Sequence, residues 1–239
     1  MEYLSRLPDD LRTPGAPGEI QLVAGQEAEE RAAAVANFLH HRAGLPLPNP
    51  ALGVVYEDPF FFIIREAVSV RGRVGAYQRI VPRETSGSSA AVLTVRGDEM
   101  WFVRPYRHST RRFEIECPRG HSPEAKTPED AAGHEVLQEL GLPLISLQQL
   151  IPDFCTDTGI TTNRVPLYLG VLGEGVPNPA PEMFEVFGEP MRVPLRDLRQ
   201  VVANGSIRDS FTLGALAVAW AQGYLADATK GSDPRGNDS

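Results

Sequence analysis

The chain is short of cysteine, of long apolar runs and of positive charge, and each shortage excludes something. Two cysteines among 239 residues, Cys117 and Cys155, cannot build the disulfide framework of a small secreted scaffold, and they read as reduced thiols. No run approaches the roughly 18 apolar residues that cross a bilayer as a helix, so no membrane partner is expected. Lys and Arg number 23 against 31 Asp and Glu, a net charge of −8. Such an acidic chain is a poor non-specific ligand for nucleic acid or anionic lipid. The first ten residues lack the charged-then-apolar order of a secretory signal. The sequence therefore predicts a cytoplasmic protein with neither a nucleic-acid nor a membrane partner. No repeat recurs at periods of about 20–50 residues.

Core-forming residues are not scarce. Hydrophobic residues make up 42% and charged residues 23%, which suits a globular chain that buries a core. Glycine (22) and proline (21) are plentiful, and they predict long loops. Met1 to Gly25 reads as irregular. Gln26 to Arg42 has helix-forming composition, with Ala28, Ala32, Val35 and Leu39 near one face. Pro46, Pro48 and Pro50 then act as a linker. From Leu52 the texture becomes strand-like, with apolar runs at Phe60–Arg65, Val68–Arg73 and Gly75–Val81.

Ser86 to Ser89 reads as a polar turn. Ala90–Val95 and Met100–Arg104 read as a hairpin around Gly97. Arg111–Cys117 alternates charged and apolar residues, predicting a strand with one wet face. Ile145–Ile151 and Val165–Leu172 are further strands. Gly173–Pro190 is a long loop, and helices follow at Leu195–Ala203 and Ser210–Leu225. Lys230 to Ser239 reads as a disordered polar tail. The expectation is an α/β fold, a mixed sheet sandwiched by helices. It divides into an extension over residues 1–51, a main domain over 52–229 and the tail at 230–239.

One segment carries chemistry, Gly120 to Leu142. Thr127 is a good N-cap, Pro128 suits the first helical position and Gly141 suits a left-handed C-terminal cap. These predict a helix over Pro128–Leu140. Ala132, Val136 and Leu140 form its apolar stripe. Glu135 and Glu139 lie one turn apart on a common face with Gln138 beside them. Two carboxylates so placed repel each other unless a hard cation lies between them. The plain alternative is a solvated helix face. The five histidines show no metal-pair spacing and read as surface residues.

The segment resembles the Nudix box. Gly120, Glu135, Val136, Glu139, Gly141 and Leu142 fall on its pattern. Lys126, His134 and Gln138 depart from it, standing where the box has Glu, Arg and Glu. Trp101–Arg107, Phe113–Gly120, Asp157–Leu169, Glu189–Leu195 and Ile207–Ser210 are similar to the flanking segments of ADP-ribose pyrophosphatases, and Tyr56–Arg79 resembles their N-terminal strands. The resemblance covers roughly residues 52–226 and implies a Nudix fold.

It also implies metal-dependent hydrolysis of a diphosphate bond in ADP-ribose or a nucleotide-sugar-like compound. Mg²⁺ or Mn²⁺ would be held by Glu135, Glu139, Gln138 and the backbone carbonyl of Arg119. Arg107 would bind phosphate and Glu116 would shape the site. The base would come from Glu182, Glu185 or Glu189, with Glu185 nearest the family position. The lost Glu–Arg brace at Lys126 and His134 would be rebuilt through Glu124 or Glu129, or released. A homodimer through Tyr56–Val81 is implied. Three readings stay open: an active hydrolase, a Nudix-fold nucleotide-binding or regulatory protein with weak or no turnover, and another reaction on the same scaffold.

Overall fold

The computed structural model describes residues 2–7, 9–16, 18–83 and 87–225. The expected tail at 230–239 and part of the expected turn at 86–89 lie outside the described residues. Two compact units are present. One comprises residues 1–84 with 157–163, and the other residues 85–156 with 164–239. No helix among the described residues is long and apolar enough to cross a membrane.

The first unit is an antiparallel sheet with one helix. β1 (Gln21–Leu22), α1 (Gln26–Arg42), β2 (Gly53–Glu57), β3 (Phe61–Val70) and β4 (Arg73–Pro82) follow in order. β3 pairs along one edge with β2 and β1, and along the other with β4 through its full length. Sequence punctuation predicts two runs where β3 is one strand. The interruption, Glu66, is polar but buried. Arg79 on β4 grips its carboxylate with two hydrogen bonds of 2.6 and 2.8 Å, so the strand continues through it. Arg71 and Gly72, both with positive φ, close the β3–β4 hairpin. The stretch before Gly25 is not wholly irregular: it holds 3-10 turns at Glu2–Arg6 and Asp9–Leu11 as well as β1. α1 has its predicted bounds, but its buried face runs through Ala32 and Ala36, and Leu39 is exposed.

The second unit is a mixed sheet with helices on both faces. Its elements are β5 (Ser88–Arg96), β6 (Glu99–Arg107), β7 (Arg112–Phe113), β8 (Arg119–Ser122), α2 (Pro128–Leu140), β9 (Leu144–Phe154), β10 (Val165–Leu172), β11 (Phe187–Pro194), α3 (Leu198–Ala203) and α4 (Ser210–Ala221). The main order is β11-β6-β5-β10-β9. β7 is added to β6 and β8 to β5. Among the described strands of this sheet, only β5 and β10 pair in parallel.

Strand alternation divides the core. Ala90 and Val92 of β5 pack with Trp101, Val103, Ala132, Val136 and Leu140 on the α2 side. Ala91 and Leu93 pack with Met100, Phe102, Ala215 and Leu216 on the α4 side. The mixed sheet sandwiched by helices is therefore as the sequence predicts.

Several boundaries differ: β4 and β9 run longer than expected, and β5 takes in Ser88 and Ser89 of the expected turn. The loop after β10 ends at residue 186, and β11 begins at Phe187. The predicted 195–203 helix opens with a 3-10 turn at Leu195–Asp197 before α3. The predicted 210–225 helix stops at Ala221, because Gly223 turns left-handed and the amides of Gly223 and Tyr224 bond back to Trp220 and Ala219.

α2 has the bounds its punctuation predicts. The Thr127 hydroxyl accepts from the Asp130 amide at 3.1 Å, and the Asp130 carboxylate accepts from the Thr127 amide at 3.2 Å. Gly141 closes the helix at φ 69°. Replacing Thr127 with Ala is expected to cost about 1 kcal/mol. That lowers the calorimetric melting temperature by about 2–4 °C; an unchanged value would show that the cap does not hold the helix start.

Candidate active site

The site begins with the flank of α2 beside its apolar stripe, on the same buried side of the helix. Glu135 and Glu139 are only 6% and 4% exposed, so this is not a solvated helix face. Their cover is β8. Gly120 lies so close to Glu135 that a Cβ there would overlap the carboxylate. A side chain at this position would push the carboxylate from its place. Next to it, the Arg119 amide donates to Glu139 Oε2 at 3.1 Å.

Burial makes this pair uncomfortable as two anions. Desolvation pushes the Glu135 carboxyl up to about 7; the loop carboxylates of Glu185 and Glu182 add to the rise, and His134 opposes it. Glu139 is raised well above the ordinary carboxylate range, first by burial and then by Glu135 itself. The Arg119 amide and the charge of Arg107 hold it back. Among the described residues, no three His, Cys, Asp or Glu side chains gather as a metal-binding group.

The long loop reaches this helix. The Ala180 amide donates to the Gln138 carbonyl at 2.8 Å, and Gly141 touches the Asn178 backbone. Glu182 and Glu185 form a tight turn: each backbone amide is bonded within the pair, Glu182 N–H to Glu185 Oε2 and Glu185 N–H to Glu182 O, both at 3.0 Å. Both carboxylates act electrostatically on Glu135. Glu189 sits instead on β11, exposed.

Arg107, at the end of β6, is engaged by Glu116 in a two-point ion pair of 3.0 and 2.6 Å. Burial weighs against its charge, but Glu116, Glu139 and Asp209 outweigh that and raise the guanidinium above its usual value. The predicted strand at Arg111–Cys117 is reduced to β7 and a bridge between Glu116 and Val103. Its alternation is also inside out. Between Phe113 and Glu116 the charged Glu114 and Glu116 are the buried residues, because arginines neutralise them; Cys117 beyond them is buried as well.

Arg119 contributes more than a backbone. Its guanidinium meets Glu116 at 2.9 Å and Asp209 at 3.3 Å, and lies over the Phe211 ring. Asp209 caps α4 by accepting from the Thr212 amide and hydroxyl, and the Thr212 hydroxyl accepts from the Cys117 amide. Sequence pattern alone gives neither Asp209 nor the Arg119 side chain a role. The N-cap pattern of Asp209 before an apolar helix was the available signal.

Lys126 and His134 are both exposed, and among the described residues no ion pair joins them to each other or to Glu124. Glu129 accepts from the Tyr168 hydroxyl at 2.9 Å, so it does not rebuild the brace. Gln138 is half-buried beside the pair.

No family model matches the chain, and no curated protein matches it in sequence. Among solved structures, the crystal structure of an ADP compounds hydrolase is similar, with a TM-score of 0.60 and 17% identity. The match covers 72% of this chain and 93% of that one. At this identity the likeness shows the fold alone, a mixed α/β sheet with helices on both faces.

The buried pair carries a pH signature. Glu135 would titrate near 4.5 unfolded and near 7 folded, so the folded state holds its proton more tightly. The resulting stability is fully present below the unfolded value and is lost as pH rises through the folded one. Without divalent cations, the melting temperature is expected to fall between about pH 5 and about pH 8.5, by about 2–4 °C for each kcal/mol lost. Glu135→Gln should flatten that fall. Equal slopes in the two proteins would contradict the burial of a repelled carboxylate.

Proposed function

We propose that the chain hydrolyses a diphosphate bond in a nucleoside diphosphate derivative, with a divalent cation bound at Glu135 and Glu139. The observation that supports this reading is the pair itself: two carboxylates buried a helical turn apart with too little positive charge to balance them. Their donor set is oxygen-only and anionic, which fits Mg²⁺ or Mn²⁺. Gln138, through its amide oxygen, and the backbone carbonyl of Arg119 are the further protein donors in this reading. With so few protein carboxylates, the remaining ligand oxygens come from water and from the substrate phosphates. A bound cation supplies charge neutralisation on phosphate and a more acidic water.

The chain's own groups do the rest. Glu185, supported by Glu182, accepts the proton of the attacking water from the loop side. Arg107 keeps two donors on Glu116 and turns its remaining amino group to a phosphate oxygen, its position set before substrate arrives. Glu116 holds that guanidinium, and Arg119 fixes the Glu116 carboxylate in turn. The fold likeness to an ADP compounds hydrolase supports a nucleotide diphosphate as the substrate type. ADP-ribose and nucleotide sugars are the first compounds to try.

A second reading is favoured by one observation, the neutral Gln138 where the box has a carboxylate. In it the pocket binds the nucleotide and turns it over weakly or not at all. Phosphate release from ADP-ribose and a nucleotide-sugar panel, with Mg²⁺ or Mn²⁺, separates the two. Hydrolysis is expected to require the cation and to drop at least about 100-fold in Glu139→Gln, the scale of losing a key stabilising group. Gln138→Glu is expected to raise it. Binding without cation-dependent turnover in any of these proteins would select the second reading.

A further inference from the structure

Glu114 and Glu116 stand two residues apart on an extended segment, so they share a face at a spacing of about 7 Å. Each clamps two arginines. Glu116 holds Arg107 and Arg119. Glu114 holds Arg208 at 2.8 Å and Arg112 at 3.7 Å. The acids are inside and the bases outside. The side chains of Glu114 and Glu116 are 8% and 2% exposed, whereas those of Arg112 and Arg208 are 55% and 44% exposed. The protein thus presents a rack of guanidiniums with its balancing charge behind it. This is a cationic surface on a chain whose net charge is −8. One end of the rack, Arg107, lies within electrostatic reach of Glu139, and the other leads away from it.

A diphosphate gripped at Arg107 leaves the Glu114 clamp without a task. We propose that Arg112 and Arg208 form a subsite for a further phosphate, so that a compound with a chain of three or more phosphates is held more tightly than one with two. The inference rests on the diphosphate-hydrolase reading only for which bond is cleaved. The subsite itself requires only that an anion longer than diphosphate reach from Arg107 to the Glu114 clamp. Guanidiniums held by buried carboxylates lose little freedom when phosphate docks, and their forks match phosphate oxygens.

Calorimetric titration of the full chain with inorganic tripolyphosphate, pyrophosphate and orthophosphate, without divalent cations, tests it. Tripolyphosphate is expected to bind at least about tenfold more tightly than pyrophosphate, with a steep salt dependence. Arg112→Ala and Arg208→Ala should each remove most of that advantage. The double variant is made in a Glu114→Gln background, so that no buried carboxylate is left bare. Arg208→Lys should recover part of the affinity. Arg111→Ala is the control: it removes an equal charge from the same hairpin, but Arg111 contacts His108 and lies outside the rack. The proposal is overturned if Arg111→Ala weakens binding as much as the rack variants do, or if tripolyphosphate binds no better than pyrophosphate. Failure of the hydrolase reading would show as absent turnover with this binding pattern intact, so the two outcomes are separable.

Discussion

Two like charges held out of water one helical turn apart are the constraint on which the site is organised. Carboxylates in that position cost free energy in proportion to their desolvation, and each raises the cost of the other. A fold does not keep such a pair unless something in its working state repays the cost. Everything around Glu135 and Glu139 fixes their position and leaves their charge largely unneutralised. β8 presses Gly120 against one carboxylate and gives the other a single backbone amide. The helix that carries them is pinned at its start by a reciprocal cap and at its end by a left-handed glycine lying on the Asn178 backbone.

The cationic side is arranged with the opposite logic. Arg107 and Arg119 are neutralised through a single buried Glu116, and Arg119 reaches on to Asp209 at the start of α4. That chain of contacts ties β6, β8 and α4 together behind the acidic pair. It holds positive charge near Glu139 without delivering a salt bridge to it. The result is a polarised site: Arg107 stands near Glu139, and the carboxylates of Glu182 and Glu185 act on Glu135. A phosphate chain with a divalent cation has the complementary charge pattern.

How much of this was legible in the sequence depended on how local the determinant was. The bounds of α2 could be read because Thr127, Pro128 and Gly141 act within a few residues of the helix ends. The strands β5, β6 and β10 could be read because a sheet buried on both faces needs near-continuous apolar runs. The sharing of a face by Glu135 and Glu139 followed from helical period, but their burial did not, since β8 and the loop that cover them are distant in the chain. Glu66 and Glu114 misled for a related reason. A charged residue reads as exposed until its arginine is known, and Arg79 and Arg208 lie 13 and 94 residues away. Glu182 and Glu185 could not be told from Glu189 by composition; only the turn that joins the first two brings them to Glu135.

The most direct test of the account is a titration with Mn²⁺ followed by electron paramagnetic resonance at mildly alkaline pH, comparing the native chain with Glu139→Gln. The account predicts that the native protein quenches the signal of the free ion and that the substitution greatly weakens this. Mn²⁺ remaining free in both samples, or bound equally well by both, would contradict the claim that the buried pair is a cation site.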